Sequence, residues 1–208
     1  MQYKKKQIAF FFRVMEGQMY MLRENVWLQE AFSSFDREFT LAGDSVESDD
    51  WHSLALLNDV LFQYLCVHFD WNNLYLINRD GKIIYSMQKS SDLSMSLDMN
   101  PLKNTSLGQA YSRLRTDEDL EIAFGDYAPY PPLDNLPSAF LLTRIHDSTG
   151  NIKGGIGYLA VQPSTVALKN MIKMGSKKEE ALEAYLVGAD GYMQHRGIEK
   201  GHRSAGPG

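Results

Sequence analysis

A single cysteine, Cys66, is all the thiol chemistry this 208-residue sequence offers. One cysteine excludes an internal disulfide, and a thiolate-built metal or cluster site needs more ligands than one. Lying in the apolar run from Val60 to Phe69, Cys66 reads as a small buried hydrophobe. Such poverty fits the cytoplasm and equally a bacterial periplasmic domain that needs no staples. Long hydrophobic runs are also missing. The longest near the N-terminus, Ile8 to Phe12, falls far short of the ~18 residues that cross a bilayer, and no apolar core with a small-residue cleavage site marks a secretory signal. Taken alone, the sequence is expected neither to insert nor to be visibly exported, so a role outside the cytoplasm would make it part of something longer. Basic charge is scarce too: 21 Lys and Arg stand against 26 Asp and Glu, a net charge of −5. The only basic cluster is Lys4-Lys5-Lys6, so nothing steers the chain to phosphate backbones and nucleic acid is not an expected partner.

Catalytic and cofactor signatures are equally thin. The five histidines, at 52, 68, 146, 195 and 202, show no metal-ligand spacing such as a helical i, i+4 pair. No Ser/His/Asp or Cys/His set stands out, and there is no phosphate loop. Gly155-Ile156-Gly157-Tyr158-Leu159-Ala160 has dinucleotide-like glycines, but they open a strand where that fingerprint requires a turn opening a helix. Asn104-Thr105-Ser106 matches a glycosylation acceptor, a triplet too short to mean anything without a secretory context. The expectation is therefore no enzyme, no metal and no cofactor.

What is present is enough apolar residue, 44% of the chain, for one ordinary core and part of a second. Ile8, Phe12, Met15, Met19, Leu22 and Val26 recur at steps of four and three, a helical stripe that Phe32, Phe35 and Phe39 continue after a slip. A helix of ~30 residues is long for a compact domain. Either it packs in a core, against the second helix expected from Trp51 to about Phe69, or it forms a dimer stalk. Ser48 to Asp50 supplies the start of that second helix. Leu74 to Ile77 and Ile83 to Ser86 are strands joined through Asp80-Gly81, a strong hairpin signal. A polar stretch, Gln88 to Thr116, holds a short helix near Leu107 to Leu114. Three more strands follow: Glu121 to Asp126, Ala139 to His146, and Lys153 to Gln162. Ser164 then caps a helix to about Met174. The class is α+β: a long N-terminal helix, then an antiparallel five-stranded sheet in PAS-like order with flanking helices.

The run Leu74-Tyr75-Leu76-Ile77-Asn78-Arg79-Asp80-Gly81-Lys82-Ile83-Ile84-Tyr85-Ser86 resembles the extracytoplasmic Cache sensor domain, of double-Cache type, found in bacterial methyl-accepting chemotaxis proteins and related kinases and cyclases. Asp126-Tyr127-Ala128-Pro129-Tyr130, Ser138-Ala139-Phe140 and Gly188-Ala189-Asp190-Gly191-Tyr192-Met193 follow in the same order. The resemblance implies a helical region over residues 1–70, a ligand-binding membrane-distal subdomain over 71–182, and a truncated start of a membrane-proximal subdomain plus a loose tail over 183–208. It implies a small-molecule sensor of a signalling receptor, most readily a chemoreceptor, at the periplasmic face of the inner membrane. It also implies a homodimer through the N-terminal helix, with the membrane reached only through flanking segments. The alternative is a soluble PAS-like dimerisation module without ligand.

Candidate ligand-binding residues are Asp126, Tyr127, Tyr130, Arg144, Tyr85 and Tyr75. Asp126 ends a strand, where an unpaired carboxylate would be costly to bury; a ligand ammonium or hydroxyl would satisfy it, as would pairing with Arg144 or a turn. Tyr127 and Tyr130 are pocket walls if they face inward, and otherwise core or cross-strand pairs. Arg144 amid apolar residues suits a carboxylate ligand, though strand alternation would place it in solvent. Tyr75, Tyr85 and Tyr158 carry the same ambiguity. The resemblance to double-Cache receptors that bind amino acids would call for an Arg and aromatic pair in the helix before the first hairpin; here that region offers only Trp51 and Trp71, so the resemblance does not imply amino-acid specificity. The ligand expected is a small polar metabolite.

Overall fold

A computed structural model describes residues 2–147 and 154–166. The expected helix beyond Ser164 is therefore seen only at its start, and the expected subdomain over 183–208 lies outside the described residues. Three helices precede the sheet: α1 (Gln2–Arg23), α2 (Val26–Leu41) and α3 (Asp49–His68). The expected single N-terminal helix is two, because Asn25 stops one and starts the next. Its side-chain oxygen accepts from the backbone N–H of Trp27 at 2.9 Å and of Leu28 at 3.4 Å, while its own N–H donates to Leu22 at 3.0 Å. Asparagine is a favoured N-cap for this reason, and the break absorbs the slip in the apolar stripe. Met15, Met19 and Leu22 of α1 are buried, and Leu28, Phe32, Phe35 and Phe39 continue the face in α2. Val26, expected in the stripe, is exposed instead, because the stripe restarts two residues later. The main neighbours of α1 are the fourth strand and α2, not α3. In α3 the N-cap is Ser48, as expected, accepting from the N–H of Trp51 at 3.1 Å.

The five strands among the described residues are β1 (Trp71–Asn78), β2 (Ile83–Ser86), β3 (Ile122–Tyr130), β4 (Leu136–Ile145) and β5 (Gly157–Pro163). They form one antiparallel sheet in the order β2-β1-β5-β4-β3, the PAS-like order expected. The first hairpin turns where anticipated: Gly81 has φ of 77°, and the Asn78 side chain accepts from the N–H of Asp80 and Lys82. Between β2 and β3 lie a 3-10 turn at Leu102–Asn104 and α4 (Ser106–Thr116), N-capped by Thr105.

Two apolar layers sandwich the sheet. Helices α1 to α3 cover one face, packing Phe32, Phe35, Trp51 and Phe62 on Leu74, Leu76, Leu141, Leu159 and Val161. Helix α4 and the loop before it cover the other, where Leu97, Leu102, Leu107 and Tyr111 meet Tyr75, Ile77, Phe140, Leu142 and Ala160. Coverage on both sides explains why β1, β4 and β5 read as near-continuous apolar runs.

Candidate functional site

An open cleft of about 860 Å³ lies between α4 with its preceding turn and the edge strand β3. Asp98, Lys103, Asn104, Arg113, Asp126 and Tyr127 are among its lining residues. Its shape follows from a β-bulge. Gly125 pairs with Phe140 but Ala128 with Ser138, so β3 carries one residue more than β4 across Asp126 and Tyr127. A bulge re-aims side chains and leaves a ladder group unpaired. Here Asp126 turns outward and is exposed, Tyr127 turns inward and is buried, and the Asp126 carboxylate accepts from the Tyr127 backbone N–H at 2.7 Å. Burial, then the neighbouring Asp126 charge, pushes the Tyr127 hydroxyl up to about 12. Other cleft groups are engaged as well: Arg113 donates to the carbonyl of Phe124, Asp98 pairs with Arg115 at 2.6 Å, and the Asn104 amide donates to Asn100 at 3.2 Å. The cleft thus offers both signs of charge beside one aromatic wall, a set that can hold a small polar molecule.

The structure separates the sequence-derived candidates into four places. Asp126 and Tyr127 share the cleft. Tyr130 and Tyr75 lie deeper on the α4 side, flanking Phe140 with ring centroids 4.9 and 6.0 Å from it. Tyr85 is on the opposite face. Leu76 pairs with Tyr85 but Ile77 with Ile83, so Ile84 is bulged and Tyr85 joins the Leu76 side. There its hydroxyl donates to Asp59 of α3 at 2.5 Å, and the Lys89 ammonium sits 3.8 Å from its ring centroid. Arg144 is not in solvent as alternation suggested, because α4 covers its face of β4. It is buried and donates to the carbonyls of Asp117 and Leu120, each at 2.7 Å, and to that of Leu114. A cation on these carbonyls closes the C-terminal end of α4.

One buried acid escaped the sequence reading. Asp92 is fully buried and accepts from the hydroxyls of Tyr130 and Ser90, both at 2.8 Å. No Lys, Arg or His among the described residues pairs with it. The hydroxyl of Tyr75 is pushed up first by burial and then by the Asp92 charge, yet makes no hydrogen bond of good geometry. Burial likewise raises Tyr130, so both phenols stay protonated. Nothing in Ser90-Ser91-Asp92 announces this in sequence, since such a tripeptide also suits a solvated turn. Among the described residues no group of three His, Cys, Asp or Glu could hold a metal ion, and no helix is long and apolar enough to cross a membrane.

No family model matches the sequence, and no characterised protein matches it. Solved structures do match in part. The sensor domain of the Vibrio cholerae histidine kinase DctB superposes with a TM-score of 0.49 at 11% identity, covering 83% of this chain and 58% of that one. An extracellular ligand-binding receptor from Desulfohalobium retbaense superposes with a TM-score of 0.40 at 16% identity, over 74% of this chain and 26% of that one. This chain therefore spans less than two thirds of the length of either protein.

Proposed function

We propose that this chain is the ligand-sensing part of a signalling receptor and takes a small polar metabolite in the cleft between α4 and β3. The observation that carries the reading is the bulge at Asp126 and Tyr127, which sets a carboxylate and an aromatic side chain on the wall of an open, doubly charged cleft. The reading rests on this geometry and on the strand order, not on the two structural likenesses. The extracytoplasmic setting, in a receptor that crosses the membrane through flanking segments, and a chemotactic output belong to the same proposal.

The route for a signal is short. Helix α4 is one wall of the cleft, Arg144 ties its C-terminal end to β4, and α1 packs on β4. A ligand that binds one arrangement of α4 and β3 more tightly than another shifts the population of both, and β4 carries the difference to α1.

A thermal-shift screen of organic acids, amines, amino acids and purines against the wild type and Asp126→Ala tests the site. Asp126 is exposed but holds the Tyr127 backbone N–H at the bulge, so the substitution should cost the free protein about 1 kcal/mol and abolish the ligand-induced rise. A rise of equal size in both proteins would remove Asp126 from the site.

A further inference from the structure

We propose that α3 is the docking surface for a second copy of this chain, through the face it turns away from the sheet. Its inward side is used by Trp51, Ala55, Phe62 and Cys66. Its outward side carries Leu56, Leu57, Val60, Leu61, Tyr64 and Val67, of which Leu57 is 78% and Val60 76% exposed. A helix apolar all round is ordinarily a buried one.

Three observations select a second copy as the occupant. The first is spacing: Ser53, Leu57, Val60, Tyr64 and Val67 alternate steps of four and three, the seam that packs against a helix of the same spacing. The second is charge. From Ser53 to His68 the one Lys, Arg, Asp or Glu of α3 is Asp59, which borders the patch, is half-buried and is already paired with Lys89 at 2.8 Å. A two-fold interface sets each patch against itself, and a patch without like charges meets itself without repulsion. The third is area. The six outward residues expose roughly 700 Å², above the ~300–600 Å² of the largest patch on a typical monomer and near the ~800 Å² each partner gives to a standard interface.

Helix α1 is the competing surface and is the weaker one. Its expected stripe is turned inward through Met15, Met19 and Leu22, and its outward row of Phe10, Val14 and Met21 is interrupted by Gly17 and bordered by Arg13 and Glu16. That row exposes roughly 300 Å², under half of what α3 offers and within the range of an ordinary monomer surface.

The proposal is independent of the ligand site and is tested without any ligand. Sedimentation velocity on the full 208-residue chain should show a dimer that dissociates on dilution. Val60→Glu should weaken it at least about a hundredfold, as an unpaired charge buried in an interface does, and leave the melting temperature of the dilute protein unchanged. Phe10→Glu should leave the dimer intact. Should Val60→Glu fail to fold, Val60→Cys in a Cys66→Ala background supplies a second reading: mild oxidation should link two chains at this position. A wild type that stays monomeric at high concentration overturns the proposal, as does a dimer lost in Phe10→Glu and kept in Val60→Glu. A monomeric wild type destabilised by Val60→Glu would instead mean that residues 167–208 cover the face, which also overturns it. Absence of the oxidised Val60→Cys dimer counts against it in the same way.

Discussion

Replacing Arg144 with lysine separates charge from geometry. The guanidinium reaches three carbonyls at the end of α4, while an ammonium on a shorter stem cannot span them. With hydrogen bonds to a charged group worth about 1.5–3 kcal/mol each, Arg144→Lys should lower the unfolding free energy in urea by about 3 kcal/mol, and Arg144→Ala by no less. If lysine restores wild-type stability, charge alone is what α4 needs. The Asp92 cluster makes a second demand. Tyr130→Phe leaves one buried carboxylate oxygen without its donor, which should cost about 1–3 kcal/mol in the same assay. In sequence these two residues announced themselves unequally. Arg144 stood out as a charge among apolar neighbours, so its need for a partner was visible, but the partner lies some thirty residues away on a helix whose position no local pattern reveals. Asp92 sat among serines in a polar stretch, and one of its two hydroxyl donors, Tyr130, lies 38 residues further along the chain, where no local pattern reveals it.

Elements defined by a local signal were readable, and those defined by a partner were not. The Asp80-Gly81 turn, the Ser48 cap and the short apolar runs of β1 and β2 are settled within a few residues, so hairpin and helix starts were legible in advance. The break at Asn25 was visible only as a slip in the apolar stripe. Asn25→Ala should therefore cost about 1 kcal/mol and Asn25→Gly a few tenths, following N-cap energetics, as read in thermal melts. The bulges at Ile84 and at Asp126-Tyr127 were not legible, because each is a mismatch of count between two strands. One slip changes every face assignment beyond it, which is how Tyr85 came to oppose Tyr75. Gly157 was noticed only as half of a false dinucleotide pattern. Its real constraint is close approach: a Cβ there would stand 2.0 Å from the Phe32 ring of α2 and 2.8 Å from the carbonyl of Ile77. Gly157→Ala should force α2 off the sheet and destabilise the protein by about 1–3 kcal/mol, with near-UV circular dichroism reporting the shifted aromatic packing.

The whole molecule buries phenols on both faces of one sheet, and this sets its alkaline limit. Burial raises Tyr111 and Tyr127 from 10.0 to about 12, and raises Tyr75, Tyr85, Tyr130 and Tyr158 as well. For each, the unfolded chain releases its proton at lower pH than the folded one. The stability they share is complete below pH 10 and drains away as pH climbs through the folded values, by up to about 2–3 kcal/mol for a two-unit shift. Absorbance at 295 nm should show these tyrosines ionising together, in one step coincident with loss of helical circular dichroism between about pH 10 and 12. Gradual ionisation of a still-folded protein would contradict it. The strand order has a consequence for how the chain is made. β5, last of the described strands in sequence, lies at the centre of the sheet, between β1 and β4. Until residues 157–163 emerge from the ribosome, the sheet can exist only as two unjoined pairs, each with an apolar edge open to other chains. Synthesis that stalls just before Gly157 would leave a product unable to close its core and prone to aggregate, and completed chains would wait on this distant pairing as their slow step.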